Sequence, residues 1–168
     1  MFEMRAGVLR DFFEQPYPGV LASLRRDGSP YTIPLWYLWE GDVPDDMHPS
    51  RNPPQGQIWL TGAPTRIWCK HLLNDPRVSF CIDIAGPPAK HVGIDGTVEP
   101  YLPDEFDIWP IMRQIIEKYV GRGDPANAAA VEQYLATMQT EPRMLFKISA
   151  KSWRAIDLSE FQGAADDQ

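Results

Sequence analysis

Apolar positions change their period along this chain, and the changes divide it into short elements. From Glu3 to Glu14, Met4, Val8, Leu9, Phe12 and Phe13 recur at helical spacing, and Pro16 ends the run. Gly19 to Leu24 then reads as a short strand, and Asp27-Gly28 behind it is a strong hairpin signal. The expected partner strand, Tyr31 to Trp39, is rich in β-branched and aromatic residues. Pro34 within it cannot donate to a ladder, so that side of the strand is expected to be exposed or bulged. Gln57 to Thr61, Val78 to Asp83 and His91 to Glu99 read as further strands. In the last of these Val92, Ile94 and Val98 share one face, while His91, Asp95, Thr97 and Glu99 share the other.

Between those strands, Thr65 to Leu73 predicts a short helix closed by Asn74-Asp75-Pro76, with Trp68, Cys69, Leu72 and Leu73 on its core-facing stripe. Beyond Pro103 the period returns to helical: Ile108, Met112, Ile115, Ile116 and Tyr119 form one face, ended by Gly121-Arg-Gly123. Asp124-Pro125 supplies an N-cap and a first-turn proline for a helix over Ala126 to Met138. Met144 to Ile148 and Trp153 to Ile156 suggest a final hairpin, and an acidic tail from about residue 162 is expected to fray. Gly41 to Gly56, with four prolines and His48, reads as a long surface loop or partner-contacting arm. Short strands at regular spacing with a few interposed helices predict one mainly β (α+β) domain over residues 1–168, an antiparallel barrel with peripheral helices.

Composition narrows the function. The chain has 168 residues and a net charge of −7, so no broad basic surface for nucleic acid is expected. No apolar run approaches the roughly 18–20 residues that cross a membrane, and Glu3 and Asp11 interrupt any secretory-signal core near the start. Two cysteines in a chain of this size need not pair, which makes a reduced cytoplasmic protein the expectation. Seventeen prolines, about twice the usual share, are spread from Pro16 to Pro142 and rule out long uninterrupted helices.

The segment Leu60-Thr-Gly-Ala-Pro-Thr-Arg-Ile-Trp-Cys-Lys-His-Leu72 carries the clearest chemistry. A strand ends at Thr61 and a helix begins a few residues later, with Arg66 at the end of the dipole where an acid would be stabilising. A bound anion such as phosphate resolves that conflict, with Arg66, Lys70 on the same face, and the threonine hydroxyls as donors. The plainer alternative is an amphipathic helix with a solvated basic face. Metal binding is not expected, because the cysteines and histidines lack paired ligand spacing. Trp36, Tyr37, Trp39 and Trp59 suit either a packed barrel core or a wall for a planar ligand.

Taken together, the chain resembles the pyridoxamine 5'-phosphate oxidase-like split β-barrel family. The resemblance rests on Val20-Leu-Ala-Ser-Leu-Arg-Arg-Asp-Gly-Ser-Pro30, Pro34-Leu-Trp-Tyr37, Trp59-Leu-Thr61, His71-Leu-Leu-Asn-Asp-Pro-Arg-Val78, Val92-Gly-Ile-Asp-Gly-Thr-Val-Glu99 and Lys118-Tyr-Val-Gly121. It implies a six-stranded antiparallel Greek-key barrel and a homodimer with FMN, or alternatively a deazaflavin, at the subunit interface. It further implies hydride transfer to or from an unknown small-molecule substrate; a deazaflavin-dependent reductase and a non-catalytic flavin- or haem-binding protein are the alternatives. By position, Ile33, Pro34, Leu35 and Trp36 would pass the ring, Thr61, Arg66 and Lys70 would hold the phosphate, and His91 would reach the ring. The chain departs from the family in three places. Family members often carry a lysine where Trp68 stands, so one phosphate ligand is missing or replaced. The Gly41 to Gly56 loop is long, and the true oxidase's arginine-proline ending is absent, which argues against vitamin B6 oxidation.

Overall fold

The computed structural model describes residues 2–86 and 88–160, so the tail expected to fray from about residue 162 lies outside the described residues. Seven strands form one antiparallel sheet: β1 (Gly19–Leu24), β2 (Pro30–Leu35), β3 (Tyr37–Asp42), β4 (Gln55–Gly62), β5 (Arg77–Ile84), β6 (Lys90–Tyr101) and β7 (Met144–Asp157). Their order across the sheet is β2-β1-β5-β6-β7-β4-β3. The two edge strands, β2 and β3, are separated in the chain by Trp36 alone. That single residue joins the two edges along the chain, and among the described residues no ladder pairs them. The segment expected as one strand from Tyr31 to Trp39 is therefore two, and the barrel has seven strands rather than six.

The expected final hairpin is instead a single 14-residue strand. Its register against β6 slips where Asp95 faces Ser152 but Gly96 faces Ala150, leaving Lys151 as the extra residue of a bulge. Gly96 fits because an added Cβ there would lie 2.3 Å from the Ser149 carbonyl oxygen. The barrel interior is filled by Leu21, Tyr37, Ile58, Leu60, Phe80, Ile82, Ile94 and Phe146, all fully buried.

Four helices lie outside the sheet: α1 (Ala6–Glu14), α2 (Ile67–Asn74), α3 (Trp109–Ile116) and α4 (Ala128–Met138). α1 presents Leu9, Phe12 and Phe13 to the core, with Phe13 stacked on Trp39 at 4.5 Å. α2 buries Trp68, Cys69, His71 and Leu72. Leu73, expected on that stripe, is 54% exposed, because His71 turns inward toward Ser23 and the edge of Tyr31. α3 runs into a wider turn over Glu117–Gly121, closed by Arg122 in the left-handed region. Asp124 caps the turn that follows by accepting from the Ala126 amide, as the sequence predicts.

The proline-rich loop shrinks to residues 43–54, because β3 and β4 extend into it. It is tied to its own chain. His48 and Arg51 reach Glu3 at 2.9 and 3.0 Å, and the Trp153 indole donates to the Asn52 carbonyl at 2.7 Å. Pro49 is buried at the start of a short 3-10 turn within it. No helix among the described residues is long and apolar enough to cross a membrane.

Candidate functional site

The hinge between the two edge strands also opens a cleft. Pro34, Leu35 and Trp36 at the end of β2 face Thr61 at the end of β4 across a cavity of about 380 Å³, bounded further by Pro18, Met138 and Arg143. β2 pairs only with β1, so its other edge carries backbone groups without ladder partners. Pro34 costs nothing on that edge, having no N–H to leave unpaired. The Trp36 indole is held in place by a parallel stack on Tyr119, with centroids 4.9 Å apart and planes within 6°, and by Tyr134 at 5.5 Å.

Two of the residues lining this cleft carry a buried polar atom without a hydrogen-bond partner: Thr61 at Oγ1 and Arg143 at Nε. An unsatisfied buried donor or acceptor costs about 1–3 kcal/mol, and more when charged, so both call for a ligand or solvent atom. The Arg143 side chain is only 14% exposed and pairs with Glu141 through one terminal nitrogen. Arg143 was not singled out by the sequence. It sits in the Glu-Pro-Arg link ahead of β7, and only the β4–β7 pairing of Gly62 with Met144 brings it beside Thr61.

Of the residues singled out in the sequence, the structure brings Pro34, Leu35, Trp36 and Thr61 together. Ile33 packs its side chain against the core, opposite Leu21, leaving only its backbone available. Arg66 is the residue before α2 and Lys70 lies one turn along; both are exposed, outside the cleft lining, with no ion-pair partner among the described residues. Burial pushes the Cys69 thiol on the inner face of α2 up to about 12, against the opposing pull of the Arg66 and Arg143 charges. His91 stands on β6, separated from β2 by β5 and β1, about 14 Å away at the usual strand spacing. Cys69 and Cys81 are both free thiols. Among the described residues no group of three His, Cys, Asp or Glu side chains converges closely enough to hold a metal ion.

A second cavity, about 870 Å³, lies on the far side of β3 between Phe13, Trp39, Arg10, Lys118 and Arg122. Lys118 Nζ donates to the Phe13 and Tyr37 carbonyls at 2.7 and 3.3 Å and lies 3.7 Å from the centre of the Tyr37 ring. Burial pulls its amine down to about 7. The neighbouring Tyr119 hydroxyl accepts from the Tyr37 amide and donates to the Tyr17 carbonyl at 2.8 Å. The Lys118-Tyr119 pair thus ties α1, β3 and the turn after α3 together, which accounts for this motif structurally.

An antiparallel barrel with peripheral helices, and a cleft at the kink between its two edge strands, fits the split-barrel class. Within that class the chain belongs to the pyridoxamine 5'-phosphate oxidase family, whose model matches residues 7–157. No curated protein matches the sequence. Among solved structures, a conserved hypothetical protein of Mycobacterium tuberculosis, Rv2991, is similar at a TM-score of 0.66 and 21% identity, over 96% of this chain and 89% of that one. An F420 reductase is similar at a TM-score of 0.57 and 18% identity, over 86% and 94% of the two chains. A FAD-binding protein (mll6688) of Mesorhizobium loti is similar at a TM-score of 0.54 and 21% identity, over 88% and 91%. These likenesses show a shared fold.

Proposed function

We propose that this protein binds FMN in the cleft between Trp36 and Thr61 and acts as a flavin-dependent oxidoreductase on a small molecule. One observation carries the reading. Pro34 to Trp36 and Thr61, distant in sequence, line one cavity, and two of its lining residues, Thr61 and Arg143, carry a buried polar atom without a partner. A planar ring laid along the free edge of β2 would find unpaired backbone groups there, and a polar tail directed toward Thr61 would satisfy the orphaned hydroxyl. Bound FMN supplies two-electron hydride chemistry. The chain's own part is to orient the ring against β2 and to keep water from it with Trp36 and Met138.

A homodimer completes this reading. Across the outer face of the barrel, Pro34 pairs with Val20 and Val20 with Cys81, a row of exposed apolar side chains beginning at the cleft itself. Val20 is 42% exposed. A second copy seated on this row would wall the open side of the cleft. His91, too far along the sheet to share the cleft of its own chain, would then serve its partner's. The similar F420 reductase makes a deazaflavin the competing cofactor. The absorption spectrum of the purified protein, and of the small molecule released on denaturation, tests the proposal. A released flavin supports it, whereas a colourless protein that takes up neither FMN nor a deazaflavin overturns it.

A further inference from the structure

We propose that Arg143, rather than a residue of α2, grips the phosphate of the bound flavin, with Thr61 as its companion donor. The inference rests on the flavin reading above and assigns the phosphate end of that site. It begins with Trp68 in the first turn of α2. Trp68 is 4% exposed, 5.6 Å from Phe146, and directly against the chain at Gly62. A Cβ added at Gly62 would lie 2.5 Å from Cys69 Sγ and 2.6 Å from the Trp68 indole. The β4-to-α2 junction is therefore seated on an apolar plug, and position 68 has no cation to offer.

The charge comes from across the sheet. Gly62 pairs with Met144, so the residue ahead of Met144 emerges beside the Thr61-Gly62 junction. That residue is Arg143. Its terminal nitrogen is taken up by Glu141, while Nε–H is buried and unpaired, as is the hydroxyl of Thr61, and both residues line the same cavity. A guanidinium donor and a hydroxyl converging on one cavity ask for a group with several acceptor oxygens, which describes a phosphate. Were Arg143 merely half of an ion pair with Glu141, Nε and Thr61 Oγ1 would both remain unsatisfied.

The test compares FMN with riboflavin, which differ by the phosphate alone, in titrations of the wild type, Arg143→Gln, Glu141→Gln and Lys70→Gln. The wild type is expected to prefer FMN. Arg143→Gln should weaken FMN binding about 10- to 100-fold, the worth of a charged hydrogen bond, with riboflavin binding held within about twofold. Should Arg143→Gln fail to fold, Glu141→Gln carries the test. It frees the guanidinium from its competitor and should tighten FMN several-fold while leaving riboflavin unchanged. An unaltered FMN-to-riboflavin ratio in the folded variants overturns the assignment, as does loss of the preference in Lys70→Gln alone. A wild type that binds both flavins equally overturns it while leaving the flavin reading intact; one that binds neither overturns both.

Discussion

Replacing Trp68 by lysine would place a cation at the β4-to-α2 junction, and the fold dictates that the change will harm the protein without helping the site. The Trp68 indole is 4% exposed, packed on Phe146 and against the Gly62 backbone. Truncating a buried Trp costs about 3–5 kcal/mol. The lysine stem refills part of that volume, but its ammonium would enter an apolar site between Phe146 and the Gly62 backbone. The net loss should stay near 3–5 kcal/mol at pH 7. At about 2–4 °C per kcal/mol for a chain of this length, Tm should fall by roughly 6–20 °C. The new amine would have a folded-state pKa below its unfolded value of about 10.4. The penalty for charging it is thus complete at low pH and fades as pH rises toward that value, so the Tm deficit should be smaller at pH 9 than at pH 7. Thermal melts followed by circular dichroism at both pH values, with FMN titrations alongside, measure this. A variant melting within about 2 °C of the wild type and binding FMN more tightly would mean that position 68 opens into the cleft, and the packing argument would fail.

Three further outcomes follow from the same geometry. Gly62→Ala should destabilise by about 1–3 kcal/mol through overpacking, and Cys69→Ala in the same chain should recover part of it by removing the nearer contact; urea unfolding measures both. Because burial holds the Lys118 amine at about 7, below its unfolded value, the cost of charging it is complete below pH 7 and is relieved as pH rises toward 10. The stability of the wild type relative to Lys118→Met should therefore grow between pH 7 and pH 9, and a flat difference would show that the amine stays charged. Val20→Glu, in the centre of the exposed apolar row, should dissociate a dimer in sedimentation experiments; an unchanged mass would put the interface elsewhere.

Much of the barrel is written in local pattern. The β1–β2 hairpin is announced by Asp27-Gly28, and β6 by an alternation that its burial repeats from Ile94 to Val98. The errors arose where sequence neighbours and spatial neighbours diverge. Ala150-Lys151-Ser152 has the polarity of a turn, yet the chain runs straight on because Lys151 is absorbed as a bulge against Gly96. Trp36 looks like another strand residue, and its hinge role depends on which strands lie at the two edges. At the site, Pro34 to Trp36 and Thr61 could be marked by position along a family pattern. Arg143 could not, since nothing periodic surrounds it and its neighbourhood with Thr61 arises from a ladder between segments some 80 residues apart. His71 took the inward place expected for Leu73 because Ser23 and Tyr31 give its ring polar and aromatic partners.

The kink at Trp36 also bears on how the molecule assembles. The β1–β2 hairpin can form from adjacent residues, but β3 finds its place only against β4, and β4 only against β7, whose residues lie late in the chain. Contacts of such long sequence separation close slowly. Since the two edges meet at Trp36 and the cleft lies at that meeting, no partly assembled form has a cleft to offer. A ligand held there binds the finished barrel alone and draws the folding equilibrium toward it by mass action.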